Sequence, residues 1–391
     1  MKICYILNAT TPYGGSTKAF LSLLNEEIHR GVTPFIVLPD KQGIYNELRE
    51  AGIDVFSTIY RPGAYPNLGS LKDYFLFLPR LLARLSVNAK ATYLLTKEIK
   101  KRHIDLIHTN VSVIDIGYRC SRILKLPHIY HIREYADLDF KIHYFPCKKT
   151  FHRHLDQEHS YSICITKGIQ RHHEQHKSSR SKVIYDGIRP MVSSFPCTFD
   201  DGYLLYAGRI QYTKGLDMLL EAYALCVKRH ETVLPLKIAG GQTSANYFRS
   251  IKEFIEKNKL SERISFLGER KDLDELMSKA TALIVPSRHE GFGLCMPEAM
   301  FKGCLVVAHN TAGTKEQLDN GVQETGQEIA LRFESIEQLA SILHTVSIAD
   351  ANVYNDMKLR AFNVVNQLYT SERSAEQVYD FYNEIIKHEH H

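Results

Sequence analysis

Short apolar runs alternate with longer amphipathic segments along almost the whole 391-residue chain, and the alternation starts twice. KICYILN reads as a strand, and STKAFLSLLNEEIHRG as a helix with Ser16 as its cap and Gly31 as its stop. TPFIVLP, GIYNELREAG and IDVFSTI continue as strand, short helix and strand. Residues 71–102 read as helical, with Lys or Arg at 72, 80, 84, 90, 97, 100, 101 and 102. IDLIHTN, LPHIYHI and YSICIT are further strands, and KVIYDGI closes the first series. MVSSFPCTFDDG, with prolines before and within it, reads as a linker. The pattern then restarts as five strand–helix units led by YLLYAG, LPLKIAGG, RISFLG, ALIVPS and CLVVAHN. Strands joined through helices require right-handed crossovers and build parallel sheets. The expected fold class is α/β, with two doubly wound Rossmann-like domains facing each other across a cleft. Residues 1–190 and 191–372 would form the domains, and the helix in 373–391 would pack back toward the first.

Composition narrows the function classes. An apolar share of 44% with 24% charged residues is that of an ordinary globular protein, and no apolar run approaches the roughly 18 residues of a membrane span. MKICYILNA is too short for a secretory signal, so a cytoplasmic location is expected. The eight cysteines, at 4, 120, 147, 164, 197, 226, 295 and 304, form no CxxC pair and read as buried free thiols. HHEQH at 172–176 departs from HExxH, because Lys177 stands where the second histidine should be, and reads as a solvated helix face. Residues 1–190 hold 28 Lys and Arg against 17 Asp and Glu, whereas the remainder holds 21 against 27. The basic first half suggests an anionic partner.

Doubly wound sheets bind ligands beyond the carboxyl ends of their strands. Three segments occupy such places. After ALIVP comes SRHEGFGLCMPEAM, in which Gly291 and Gly293 permit close approach of backbone to a ligand. Glu298, expected in the first helical turn near Pro297, would repel phosphate and suits a diol such as ribose; it would also simply complement the helix dipole. Glu290, before the glycines, suits sugar hydroxyls. After YLLYAG comes GRIQYTKG, where Arg209 and Lys214 flank a helix entrance as a diphosphate clamp. After the first strand, TPYGGSTK offers the amides of Gly14 and Gly15 to the same diphosphate. This is neither GxGxxG nor GxxxxGK[ST], which weighs against dinucleotide and P-loop readings.

Together these segments resemble the retaining glycosyltransferases of two-domain B-type fold, specifically the large family 4. EGFGLCMPEA matches the family's EGFGLxxxEA, GRIQYTKG matches its G-R-x-x-x-x-K-G from Gly208, and AGG, FLG and TAGTKE follow in the expected order. The resemblance implies a nucleotide-diphosphate sugar as donor, with Arg209 and Lys214 on the diphosphate and Glu298 on the ribose. It places Glu290 and the backbone of Gly291, Phe292, Gly293 and Leu294 on the transferred sugar. Residues 1–190 become the acceptor side and 191–372 the nucleotide-sugar side. Many members carry a donor-facing histidine in the first domain; in PHIYHIREY both His131 and Arg133 suit that place. HTN at 108–110 is expected to line the acceptor cleft. No metal or other cofactor is implied, since a cationic clamp can neutralise the leaving diphosphate; DLD at 137–139 reads as a loop rather than a metal site.

The expected activity is transfer of a sugar, UDP-hexose being the favoured donor, to a glycan or lipid-linked acceptor in surface polysaccharide or glycolipid assembly. The basic 71–102 segment suggests peripheral contact with an anionic membrane surface; nucleic acid is not an expected partner. A nucleotide-sugar epimerase of similar fold and a non-catalytic sugar-nucleotide-binding protein are the alternatives.

Overall fold

The computed structural model describes all residues except Tyr13, 67–70, 197–199, 351 and 390–391, so Cys197 lies outside the described residues. The chain divides into two compact units, Met1–Arg189 with Ser371–His391, and Pro190–Thr370.

The first unit carries a seven-stranded sheet of β1 (Lys2–Ile6), β2 (Thr33–Leu38), β3 (Asp54–Ser57), β4 (Leu106–Thr109), β5 (His128–Ile132), β6 (Ser160–Cys164) and β7 (Ser181–Val183). Its order is β3-β2-β1-β4-β5-β6-β7, and all pairings are parallel. The second unit holds six: β8 (Leu204–Ala207), β9 (Leu236–Ala239), β10 (Ile264–Gly268), β11 (Ala282–Val285), β12 (Leu305–His309) and β13 (Leu331–Phe333). Their order is β10-β9-β8-β11-β12-β13, again parallel. In each sheet the chain builds outward from its first strand, then crosses over and builds the other way. That reversal puts a topological switch point between β1 and β4, and another between β8 and β11.

The first core shows why the chain end belongs to this unit. Ile3, Tyr5, Leu7, Ile36, Leu106, Ile129 and Ile163 form one sheet face, covered by Phe20, Leu23 and Leu24 of helix Gly15–His29. Ala375, Val378, Phe381, Tyr382 and Ile385 of helix Ser371–Glu389 fill the same cluster. Full burial of each large apolar side chain stabilises by roughly 1.5–3 kcal/mol, enough in sum to hold the helix on the sheet.

Several local expectations need correction. Helix Gly15–His29 is capped by Gly14 without a side-chain bond, so Ser16 falls inside its first turn. Segment 71–102 is helical as expected, in two pieces, Leu71–Phe75 and Phe77–Arg102. Pro79 cannot donate to the Phe75 carbonyl, which accounts for the break at Leu76. HHEQH is not a solvated face, because His173 and Gln175 are buried and His173 Nε2 lies 3.1 Å from the Glu134 carbonyl oxygen. Asp137 to Phe140 form a single helical turn rather than a loop; Asp137 pairs with Lys148 and His172, and Asp139 accepts from the Tyr135 amide. Of the cysteines, 4, 120, 164, 226 and 304 are buried, Cys295 is half-buried and Cys147 is exposed. No described helix is long and apolar enough to cross a membrane.

Candidate donor site and its supporting histidine cluster

In the second unit, β8 and β11 are hydrogen-bonded neighbours at the switch point, although 78 positions separate Leu204 from Ala282. This brings GRIQYTKG, which follows β8, beside PSRHEGFG, which follows β11. The two loops interlock, the Arg288 amide donating to the Thr213 carbonyl at 2.9 Å. Gly215 has φ +68°, and a Cβ there would overlap the Pro286 carbonyl oxygen. Only glycine satisfies both demands.

The interlock sets Lys214 on Glu290, with Nζ 2.5 Å from Oε1. Glu290 is 8% exposed, and its Oε1 also accepts from Ser287 Oγ at 2.8 Å. The two residues read separately as phosphate and sugar ligands are therefore one charge pair before any ligand arrives. Arg209 is exposed and Glu298 half-buried, the latter in the first turn of the short helix Cys295–Phe301, which begins two residues before Pro297. Burial, with the Glu290 charge second, pushes the Cys295 thiol up to about 12, so it is no nucleophile at neutral pH.

The loop is braced from helix Ala312–Thr325. The Gly313 amide donates to the Glu290 carbonyl at 3.0 Å, and a Cβ at Gly313 would strike the Gly291 carbonyl oxygen. Gln317 Nε2 donates to the Phe292 carbonyl. Thr314 Oγ1 donates to His309 O at 2.7 Å, and His309 Nδ1 lies 3.1 Å from Ser287 O. Ala312 has φ +47°, unusual for a residue with a Cβ, and this turn joins the braced segment. Arg288 forks onto Asp217 at 2.7 and 3.0 Å and stacks over Tyr212, while Tyr247 donates to Asp217 at 2.9 Å. Sequence reading missed this second layer of Ser287, Arg288, Asp217, Thr314 and Gln317. Its one visible signal was TAGTKE, read only as a motif in the right order.

Of the glycines, Gly293 uses the left-handed region at φ +89°. Gly208 and Gly14 would each give a Cβ only ordinary contacts, nearest at 3.5 Å, and Gly14 has φ −72°. Gly15 starts its helix. Neither Gly14 nor Gly15 is therefore held as glycine by strain. Phe292 turns its ring inward, edge-on to Tyr369 at 5.1 Å, leaving only its backbone for a ligand. Leu294 is the half-buried cap of the helix that follows.

In the first unit, His131 and Arg133 project from the same side of β5 and its extension. Arg133 is engaged: its guanidinium pairs with Asp186, and its Nε donates to Asn110 Oδ1 at 3.1 Å. His131 Nδ1 lies 3.3 Å from Arg133 Nη2 and 3.1 Å from His108 Nε2. Its Nε2 makes no hydrogen bond; Asp186 Oδ1, at 3.9 Å, is out of reach. Burial first, then the Arg133 charge, holds both histidines well below the ordinary imidazole value, so both are neutral at pH 7. The HTN segment does not line an open surface. His108, Thr109 and Asn110 are fully buried, and they bond His131, His128 and Arg133 respectively.

HepE of Anabaena, solved in complex with UDP and glucose, matches with a TM-score of 0.75 at 19% identity, over 98% of this chain and 100% of that one. At that identity the likeness establishes the fold, which is the B-type glycosyltransferase fold of two parallel-sheet domains. Residues 198–359 match the family described as glycosyl transferases group 1. An uncharacterized glycosyltransferase of Methanocaldococcus jannaschii is 28% identical over 228 residues, 57% of this chain and 61% of its own. The lipopolysaccharide core biosynthesis mannosyltransferase LpcC of Rhizobium leguminosarum is 29% identical over 181 residues, 46% of this chain and 50% of its own. The match thus spans about half to three-fifths of these curated relatives. In the matched segment and in fold the chain is similar to glycosyltransferases.

Proposed function

We propose that the protein is a retaining, family 4-like glycosyltransferase that moves a hexose from a nucleotide diphosphate, UDP in the simplest case, to an acceptor hydroxyl. The observation that carries this reading is the Lys214–Glu290 pair at the β8–β11 switch point, with Glu298 in the first turn of the helix that follows. Lys214 and Arg209 supply cations for a departing diphosphate, where charge grows in the transition state, and need no metal for that task. Glu290 accepts hydroxyls of the reacting sugar, and Glu298 those of the ribose. In the reaction, the bond from the anomeric carbon to the diphosphate oxygen breaks. The acceptor oxygen bonds the same face, and the leaving phosphate oxygen takes the acceptor proton.

The proposed acceptor is lipid-linked, presented at an anionic membrane face. Support comes from the outward stripe of the segment 71–102. Phe75, Leu78 and Leu82 are 84%, 60% and 57% exposed, and the stripe continues through Tyr93 to exposed Lys97 and Lys100, with exposed Lys90 beside it. Apolar side chains at helical spacing with lysines beside them suit an interface of acyl chains and anionic headgroups. Arg80 and Arg84 are less free for that role, since Arg80 pairs with Asp73 and Arg84 donates to the Ala64 carbonyl at 2.9 Å. Replacing Phe75, Leu78 and Leu82 with serine should abolish cosedimentation with phosphatidylglycerol vesicles. No binding by the unaltered protein would remove this part of the reading.

The activity is tested by incubating the protein with labelled UDP-sugars alone and then with acceptor extract. Label moving into acceptor is the expected result. Donor converted without acceptor would identify an epimerase, and binding without turnover a sugar-nucleotide-binding protein. A thermal-shift screen of donors precedes it, because a ligand at about 100 times its dissociation constant adds roughly 2.7 kcal/mol of stability.

A further inference from the structure

Lys214 and Glu290 meet through two flexible side chains, so the backbones that carry them must be held by other bonds. Arg288 holds them. Its amide donates to the Thr213 carbonyl at 2.9 Å, and its Nη1 donates to the Tyr212 carbonyl at 2.8 Å. Those are the two carbonyls just before Lys214, and Arg288 itself stands two residues before Glu290. The guanidinium is fixed in turn. It forks onto Asp217, Nη1 to Oδ1 at 2.7 Å and Nη2 to Oδ2 at 3.0 Å. Nη1 carries two protons, so it serves Tyr212 and Asp217 together. Asp217 lies in the first turn of helix Leu216–Arg229, where the helix dipole favours its charge. Tyr247, from helix Ala245–Lys257, donates to Asp217 Oδ1 at 2.9 Å and accepts from the Asp217 amide at 3.2 Å. The Tyr212 ring covers the guanidinium, with its centre 4.1 Å from Cζ. Arg288 therefore ties together the chain that follows β8, β9 and β11.

The residue types say what this arrangement does. A lysine ammonium rides on a flexible four-carbon stem, so its geometry toward a partner depends on where its backbone stands. The turn that carries it, Tyr212–Lys214, is a lone 3₁₀ turn closed by Lys214 N–H to Gln211 O and Gly215 N–H to Tyr212 O. Such turns have poorer hydrogen-bond geometry than an α-helix and gain from bonds made outside them. The missing Cβ at Gly215 permits the two loops to meet, and Arg288 supplies the attraction that keeps them there. We propose that Arg288, held by Asp217, is a positioning residue that sets the Lys214 backbone against the Glu290 loop and so places the ammonium for the departing diphosphate. The diphosphate half of this statement rests on the glycosyltransferase reading; the placement of Lys214 against Glu290 does not. Arg288 acts through Lys214 and is given no contact with the donor. Lysine cannot take over the role, because a compact ammonium cannot match a carboxylate fork, a carbonyl and an aromatic face at once.

The test has two arms, both on the full chain. In the first, the Lys214–Glu290 coupling is measured by urea unfolding of wild type, Lys214→Met, Glu290→Gln and the double variant. The same cycle is then repeated with Arg288→Ala in every member. A general loss of stability is common to all members and cancels in the coupling. The coupling should fall to about half or less, because a loosened loop lets water reach the pair. Asp217→Asn keeps the side-chain shape, weakens the fork and should lower the coupling in the same direction; it serves if Arg288→Ala does not fold. An unchanged coupling overturns the proposal. In the second arm, Arg288→Ala should lower turnover with the intact donor by roughly ten- to a hundredfold, the order expected for a misplacement of about 1 Å. Arg288→Lys should lose nearly as much, and adding Asp217→Ala to Arg288→Ala should cost nothing further, since the two act as a unit. Wild-type turnover in Arg288→Lys overturns the assignment, and so do losses that multiply in the double variant. If the unaltered protein turns over no donor at all, the glycosyltransferase reading fails, while the coupling still decides whether Arg288 holds the pair.

Discussion

Removing either member of the Lys214–Glu290 pair should have unequal consequences, and the inequality separates a clamp from a brace. Glu290 is nearly buried and keeps only Ser287 Oγ when the ammonium is taken away. Breaking a fully buried pair by deleting one partner costs about 3–5 kcal/mol. The Lys214 side chain is 20% exposed, so water relieves part of that, and Lys214→Met should cost about 2–3 kcal/mol. Glu290→Gln leaves an oxygen that still accepts from Lys214 and Ser287. It exchanges a charged bond of about 1.5–3 kcal/mol for a neutral one of about 0.5–1.5, a loss of about 1. In the double variant no charge is stranded, so its cost should stay near that of Glu290→Gln, with a coupling of about 2–3 kcal/mol in the cycle. Urea unfolding of the four proteins measures this directly.

Ligand binding then assigns the roles. In the unliganded pair a diphosphate must compete for an ammonium already bonded at 2.5 Å. Glu290→Gln weakens that competitor, so UDP should bind as well as to wild type or up to about tenfold tighter, while turnover with the complete donor is lost. Lys214→Met should lose both. Calorimetry with UDP and a turnover assay with the intact donor can be run on the same preparations. If Glu290→Gln loses UDP affinity as severely as Lys214→Met, Glu290 serves to hold Lys214 and does not read the sugar. If additivity holds across the cycle, the pair is not coupled and the argument fails at its first step.

Three other outcomes follow from the structure. Burial pushes the Glu27 carboxyl up to about 8 from 4.5, against the hydrogen bond from Tyr5; the folded state therefore holds a proton that the unfolded chain releases, and stability should fall by up to about 1.4 kcal/mol per pH unit between pH 4.5 and 8. Glu27→Gln should flatten that slope and be the more stable protein at pH 8.5, and equal slopes in urea titrations would refute it. Gly215→Ala should cost more than about 3 kcal/mol because it adds a clash to an unfavourable φ, whereas Gly326→Ala, at φ +71° with open space around it, should cost about 1; equal costs would show that the two loops are not locked. Glu298→Gln should weaken UDP roughly ten- to a hundredfold, from charged bonds of about 1.5–3 kcal/mol, and no change by calorimetry would reduce Glu298 to a helix-dipole partner.

The elements that sequence made legible are those whose signal is local. Strands β1, β4, β5, β8, β11 and β12 are apolar runs buried on both faces, as parallel sheets require, and each was found with boundaries off by a residue or two. β13 was missed because LRF is three residues long, too short for any periodicity. The motif residues were found, but their pairing was not. Lys214 and Glu290 lie 76 positions apart, and only the adjacency of β8 and β11 joins them. Strand adjacency is a property of crossover order, which local spacing does not encode. The same blindness hid Asp186 as the partner of Arg133, and so left open whether arginine or histidine had a free nitrogen.

A row of polar side chains under His131 raises a question of stability. Tyr5, His108, Tyr382 and Glu27 occupy places where Ile3, Leu106, Val378 and Leu24 show that apolar side chains fit. Buried polar networks replaced by well-packed apolar groups often leave a protein unchanged or more stable, so packing alone does not explain them. A half-satisfied network is costlier still, and here Glu27 Oε1 and His131 Nε2 both lack hydrogen bonds. The two orphans sit at opposite ends of the row. The Glu27 end relieves its cost by holding a proton, which burial makes favourable up to about pH 8. A neutral imidazole N–H has no such recourse, because burial already keeps the ring uncharged. The nearest carboxylate oxygen, Asp186 Oδ1, stands 3.9 Å from that nitrogen, too far for a hydrogen bond, so the His131 end bears the cost that a proton removes at the Glu27 end.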